Sequence, residues 1–215
     1  MWNKLIAIFK STSPKTSSIS EKNNYAPEPI ELQLNSSGRI SLSALVGSAN
    51  NLSLDKFILH LRVPVLVGST IHEGKITSQA LQRSKDARYR TQVFIAKDIL
   101  NEATTESESL KNAIYPIMHN PHKPNKSENL IHIGRATDND LIMPDFSISE
   151  MHARIYIQNG TYLIQDAHST NGTFLNGQRL KADLMQLSEG DQVQVARYEF
   201  KVFFPKALYE FLTKS

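Results

Sequence analysis

From Ala113 onward the chain alternates short apolar runs with clusters of turn residues: "AIYPIM", "LIHIG", "DLIM", "ARIYIQ", "TYLIQDA", "TFLNG", "DQVQVA" and "YEFKVFF". Within them apolar and polar positions change at a period of two, as in "DQVQVA" and "YEFKVFF", which is the signature of strands with one face buried. Their spacing of about 8–12 residues, with Asn, Asp, Gly and Ser between, predicts an antiparallel β-sandwich. Asn176-Gly177 lies between "TFL" and "QRL" and is read as a tight hairpin turn, since both residues accept positive φ at little steric cost. A second pair, Asn171-Gly172, follows "TYLIQDA" and Ser169-Thr170, so it falls in a loop whose side chains face outward.

The first half of the chain has a different texture. Residues 1–29 include "STSPKTSSISEKNNYAPEP", too poor in large apolar groups to bury surface, and are expected to be a flexible tail. In "NLSLDKFILHLR", Ser53 is a candidate N-cap with Leu54, Phe57, Ile58 and Leu61 at helical spacing, and Pro64 ends that helix. "PVLVG" follows as a continuously apolar strand, "ITSQALQRSKDARYR" as a more polar helix and "TQVFIA" as another strand. Residues 30–102 are accordingly expected to form a small α/β domain, 103–111 an acidic linker, 112–204 the sandwich, and 205–215, "PKALYEFLTKS", a helix with Leu208, Phe211 and Leu212 on one side. The predicted class is α+β.

Composition narrows the chemistry. The chain has 215 residues and 40% hydrophobic content, enough for a packed core. It contains no Cys, which removes disulfides, thiolate metal sites and a Cys nucleophile. No apolar run approaches the ~18 residues of a membrane span, and "LIAIF" near the start is shorter than a signal-peptide core, so a cytoplasmic protein is expected. A net charge of +3 without any Lys/Arg run argues against a nucleic-acid partner. His119 and His122 in "HNPH" have no third or fourth ligand nearby and are read as loop histidines; no metal or cofactor is called for. Ser149 and His152 lack an orienting acid and an oxyanion-hole motif, so no catalysis is expected.

What remains is an inventory at loop positions: Gly134-Arg135 after "LIHI", Ser149-Glu150-Met151-His152 after "DFSI", and Ser169-Thr170-Asn171-Gly172-Thr173 after "QDA". One guanidinium, several hydroxyls and a carboxamide on one β scaffold suit an oxyanion. Arg135 can donate two charge-assisted hydrogen bonds to a phosphate, and Ser149 and Thr170 one each. Charge-assisted bonds contribute about 1.5–3 kcal/mol and neutral ones about 1, which after the cost of association lands near the ~8 kcal/mol of a micromolar complex.

These motifs, in this order, resemble the forkhead-associated (FHA) domain over residues 112–204. The resemblance implies an eleven-stranded sandwich whose loops bind phosphothreonine peptides without catalysis, as an adaptor in Ser/Thr kinase signalling. By that similarity Arg135, Ser149 and Thr170 would hold the phosphate and Asn171 would bond the peptide backbone. Gly134, His152, Gly172, Asn176 and Gly177 would be structural, with His152 bracing the loop that carries Ser149. Where many members of the family have Arg or Asn after the motif Ser, this chain has Glu150, whose carboxylate would repel a phosphate by up to about 1 kcal/mol if exposed. Two other uses of the sandwich are compatible with the sequence. One is self-inhibition by a phosphorylated Thr104 or Thr105 in the linker, held at roughly millimolar effective concentration. The other is a phosphate-independent scaffold in a larger assembly such as a secretion apparatus.

Overall fold

A computed structural model describes residues 32–73, 110–123, 127 and 129–214. Two helices, α1 (Leu42–Asn51) and α2 (Leu54–Leu61), precede strand β1 (Val65–Gly68) and a single turn, α3 (Ser69–His72). The strands that follow are β2 (Ile114–Pro116), β3 (Leu130–Gly134), β4 (Leu141–Ile142), β5 (Ala153–Gln158), β6 (Thr161–Asp166) and β7 (Thr173–Leu175). After them come β8 (Gln178–Arg179), β9 (Met185–Gln186), β10 (Gln192–Val195) and β11 (Tyr198–Phe203), then helix α4 (Pro205–Thr213).

The eleven described strands form two facing sheets, one of six strands in the order β2-β1-β11-β10-β7-β8 and one of five in the order β4-β3-β5-β6-β9. All the pairings are antiparallel except β3 with β4. Between the sheets lies a core in which Leu66, Tyr115, Phe200 and Val202 of one meet Ile131, Ile133, Ile155 and Ile164 of the other. The predicted alternation is visible in β5, where Ala153 and Ile155 are buried and Arg154 and Tyr156 are only half-buried.

The six-stranded sheet is covered on both faces at its β2-β1-β11 end. Leu66 lies between Tyr115 and Val202 and points into the sandwich, while Val65 opposite Phe203 and Val67 opposite Ile114 point the other way. There they meet Leu45, Val46 and Ala49 of α1, Phe57 and Leu61 of α2, and Leu208 and Leu212 of α4. This double burial is the physical reason that "PVLVG" is apolar at every position rather than alternating. Ser41 caps α1 by accepting from the Ala44 N–H at 3.1 Å, and α2 ends on Arg62 at φ 58° just before Pro64.

The independent α/β domain expected over 30–102 does not hold for β1, and residues 103–109 of the expected linker lie outside the described residues. Val65–Gly68 is hydrogen-bonded between β2 and β11, so it belongs to the sandwich, and residues 69–113 are a long connection between two adjacent strands. An all-apolar strand cannot announce which sheet it joins. The expected tail over 1–29, the second helix and strand expected after Gly74, and Thr104 and Thr105 lie outside the described residues. Segment 35–40 binds the edges of both sheets. The Ile40 N–H donates to Ile114 O at 3.0 Å, the Ile142 N–H donates to Ser37 O at 3.1 Å, and Arg39 donates to the Tyr115 hydroxyl at 2.8 Å. That hydroxyl in turn donates to Ile142 O at 2.7 Å, and burial pushes its pKa up to about 12.

Gly68 shows how tightly the connection closes. A Cβ there would collide with the main-chain carbonyls of Lys111 and Leu110, whereas one at Gly47 in α1 would meet nothing. Gly68→Ala is therefore expected to cost about 1–3 kcal/mol, and Gly47→Ala to be neutral or to stabilise by about 0.5–1 kcal/mol. Urea denaturation of the two variants beside the parent measures both.

Candidate functional site

The three motif loops meet at one end of the sandwich. The β3–β4 loop carries Arg135, the β4–β5 loop Ser149 and Glu150, and the β6–β7 loop Thr170 and Asn171. Main-chain bonds join the first two: the Arg135 N–H donates to Ser149 O at 3.0 Å and the Ala136 N–H to Glu150 O at 3.2 Å. Gly134 makes this possible, because any Cβ would drive into the Glu150 carbonyl. Asn139 adds a clamp, donating from Nδ2 to Glu150 O at 2.7 Å and to Ala136 O at 2.8 Å.

His152 joins the second loop to the third. Its ring is fully buried; Nδ1 accepts from the Ser149 N–H at 3.1 Å and Nε2 faces Gly172 O at 3.1 Å. An accepting Nδ1 places the proton of the neutral ring on Nε2, which then donates to the carbonyl. Burial lowers its pKa, against the raising influence of that carbonyl and of the Asp166 charge, and keeps the ring neutral.

The third loop is shaped from within. Asp166 accepts from the Ser169 hydroxyl at 2.6 Å, the Thr173 hydroxyl at 2.7 Å and the Ser169 N–H at 3.0 Å, and Ser169 Oγ accepts from the Gly172 N–H at 3.0 Å. Burial pushes the Asp166 pKa upward, but these bonds outweigh it and the net shift is downward. Gly172, at φ 82°, is buried, and a Cβ there would press on the Arg179 guanidinium. Asn176 and Gly177, at φ 51° and 79°, form the hairpin turn between β7 and β8, and the Asn176 side chain ties it to Asp191 and Gln192.

The hydroxyls converge as a result. Ser149 Oγ accepts from the Thr170 N–H at 3.0 Å and lies 3.5 Å from Thr170 Oγ1. Asn171, exposed, donates from Nδ2 to Ser147 O at 2.7 Å, bonding within the protein rather than pointing free. Arg135 is 46% exposed and pairs through Nη2 with Glu150 Oε1 at 3.2 Å, Glu150 being 74% exposed.

Asp145, Asn139, Asp166 and Arg197 were not singled out from the sequence. Asp166 and Ser169 had a readable signal in an acid three residues before a Ser-Thr pair, whereas Asp145 and Arg197 are 52 residues apart and had none. Asp145, 4% exposed, accepts from Ser147, from Arg197 Nη2 at 2.7 Å and from the Tyr198 hydroxyl at 2.6 Å. The Arg197 guanidinium also lies 4.8 Å from the ring centroid of Phe146, which is 85% exposed. His119 pairs with Asp140 at 3.1 Å and His122 with Leu34 O at 2.9 Å, and among the described residues no group of three His, Cys, Asp or Glu could hold a metal.

Residues 131–196 match the family model of the FHA domain, and this part of the chain is an FHA domain. A stretch of 69 residues is 41% identical to an ABC transporter ATP-binding/permease protein of Mycobacterium tuberculosis, covering 32% of this chain and 8% of that protein. A stretch of 65 is 34% identical to the glycogen accumulation regulator GarA of Mycolicibacterium smegmatis, covering 30% of this chain and 40% of GarA. The chain thus spans well under half the length of either relative. Among solved structures, one from a study of phosphothreonine-dependent FHA domain interactions is 27% identical, with a TM-score of 0.35. It covers 42% of this chain and 82% of that one. No helix among the described residues is long and apolar enough to cross a membrane.

Burial pushes the Asp145 carboxyl upward, but hydrogen bonds from Ser147, Tyr198 and Arg197 prevail and bring its pKa down to about 2. A depressed carboxylate stabilises the fold above its unfolded pKa and ceases to do so as pH falls from about 4 through 2. Asp145→Asn should cost about 2 kcal/mol at pH 7, and urea denaturation of parent and variant should show the gap closing at pH 2.

Proposed function

We propose that the Arg135–Ser149–Thr170 hollow binds the phosphoryl group of phosphothreonine peptides, and that the chain is a non-enzymatic adaptor in Ser/Thr kinase signalling. The observation that carries this reading is the meeting of Ser149 Oγ and Thr170 Oγ1 at 3.5 Å beside an exposed guanidinium. Neither hydroxyl proton is committed to a short bond, so both are available to phosphate oxygens, with Arg135 supplying charge. Asn171 exchanges its bond to Ser147 O for one to the peptide main chain. Selection of phosphothreonine over phosphoserine would rest on the extra methyl, on the order of 1–3 kcal/mol. The FHA match over 131–196 supports the same assignment, and a cytoplasmic location fits it.

The Arg135–Glu150 pair does not close the hollow. Both partners are substantially exposed, and such a pair contributes no more than about 1 kcal/mol. A doubly charged phosphate with two further donors outcompetes one carboxylate. Calorimetry on the full chain should give micromolar binding of a phosphothreonine peptide, weaker binding of the phosphoserine form and none of the unmodified form. Arg135→Ala should cost about 2–4 kcal/mol. Equal heats for phosphorylated and unmodified peptides, or unchanged affinity in Arg135→Ala, would instead favour a phosphate-independent scaffold.

A further inference from the structure

The Glu150 side chain is exposed, but its main chain is tied down. Its carbonyl is held by the Ala136 N–H at 3.2 Å and by Asn139 Nδ2 at 2.7 Å, in a contact that only glycine at 134 permits. Asn139 is itself buried, at 2% exposure, so this anchorage does not fray with the loop surface. On the N-terminal side Ser149 is fixed by His152 and by Thr170, and on the C-terminal side His152 is bonded through its own N–H to Ile133 O at 2.8 Å. When a phosphoryl group takes Arg135 from Glu150, the displaced carboxylate swings on its own rotatable bonds about a fixed Cα. It therefore stays within about a screening length of the bound anion.

A carboxylate so placed cannot be indifferent to the ligand. At physiological ionic strength the screening length is about 8 Å, longer than the reach of the displaced side chain, so the charge acts on whatever flanks the phosphothreonine. A flanking Asp or Glu would add a third anionic group beside the phosphate and the carboxylate. A flanking Lys or Arg would take the place that Arg135 vacated as the partner of Glu150, keeping every charge paired. We infer that Glu150 is a charge-selecting residue of this site, and that the ligands it admits are phosphothreonine peptides with a basic residue next to the phosphothreonine. The inference rests on the assignment of Arg135 to the phosphate. It reaches further by naming the charge class of ligand and the residue that selects it.

Selection of this kind acts partly by repulsion, which is how closely similar ligands are told apart when their common group supplies most of the affinity. The competing internal pair sharpens it. A peptide without a flanking cation must break the Arg135–Glu150 contact and leave the carboxylate unpaired, whereas a basic peptide exchanges one ion pair for another.

The test is calorimetry on the full chain with three phosphothreonine peptides that differ only in Lys, Gln or Glu at the positions flanking the phosphothreonine. The parent protein should rank them Lys over Gln over Glu, with roughly fivefold between the extremes at 0.1 M salt and little difference at 1 M. Glu150→Gln should reduce the spread to under twofold, and Glu150→Lys should invert the order. Binding of all three with equal affinity to the parent would overturn the inference and leave the phosphate site standing. Binding to Glu150→Gln but not to the parent would also overturn it, since Glu150 would then block rather than select. If neither parent nor Glu150→Gln binds any peptide, the phosphate assignment itself fails.

Discussion

A single buried imidazole holds this site together. His152 receives the Ser149 N–H on one nitrogen and gives its own N–H to the Gly172 carbonyl on the other, so the β4–β5 loop of the five-stranded sheet and the β6–β7 crossover between the sheets are tied through one ring. The arrangement works only for a neutral ring with its proton on Nε2, and burial favours the neutral form. That buried link backs the surface bonds between the β4–β5 and β6–β7 loops, from the Thr170 N–H to Ser149 Oγ and from Asn171 Nδ2 to Ser147 O. The glycines serve the same end, Gly134 admitting the Glu150 carbonyl and Gly172 supplying the turn against which His152 bonds. The motif loops are thus fixed by inward-facing groups, an arrangement that would keep the ordering cost of the proposed binding low.

Behind the loops, the fold is covered and strapped. The helices α1, α2 and α4 cover the outer face of β1, β2 and β11, and segment 35–40 straps the β2 and β4 edges with main-chain bonds. At the end of the sandwich that carries the motif loops, Arg135 and Thr170 are exposed and Ser149 is half-buried. Electrostatics follows the same division. Asp145 and Asp166 are carboxylates saturated by hydroxyls and N–H groups, and they shape loops, whereas Arg135 and Glu150 are exposed and exchangeable.

Much of this was legible in the chain. Period-two alternation located β5, β10 and β11, Asn176-Gly177 marked its hairpin, and Ser53 with Pro64 bracketed α2, because each depends on local geometry alone. The loop motifs carried the site for the same reason, since the order of Gly134-Arg135, Ser149, His152 and Thr170-Asn171 survives in sequence. Strand β9 was missed because two exposed residues have no pattern to display, whereas β8 was legible only as the far arm of the Asn176-Gly177 hairpin. Helix α1 was missed because Gly47 and the Ser and Asn around Leu45, Val46 and Ala49 read as loop until packing selects them. The allocation of β1 to a separate domain failed because strand pairing across about 140 residues, Val65 to Phe203, leaves no local trace.

The central claim is that separate loops converge on one anion seat. The most direct measurement is a titration of the ¹⁵N-labelled full chain with a phosphothreonine peptide, followed by amide chemical shifts. The account predicts saturable changes concentrated at Arg135, Ser149, Glu150, Thr170 and Asn171, which disappear when the peptide is dephosphorylated. Changes centred elsewhere on the sandwich, or identical changes with the dephosphorylated peptide, would contradict it.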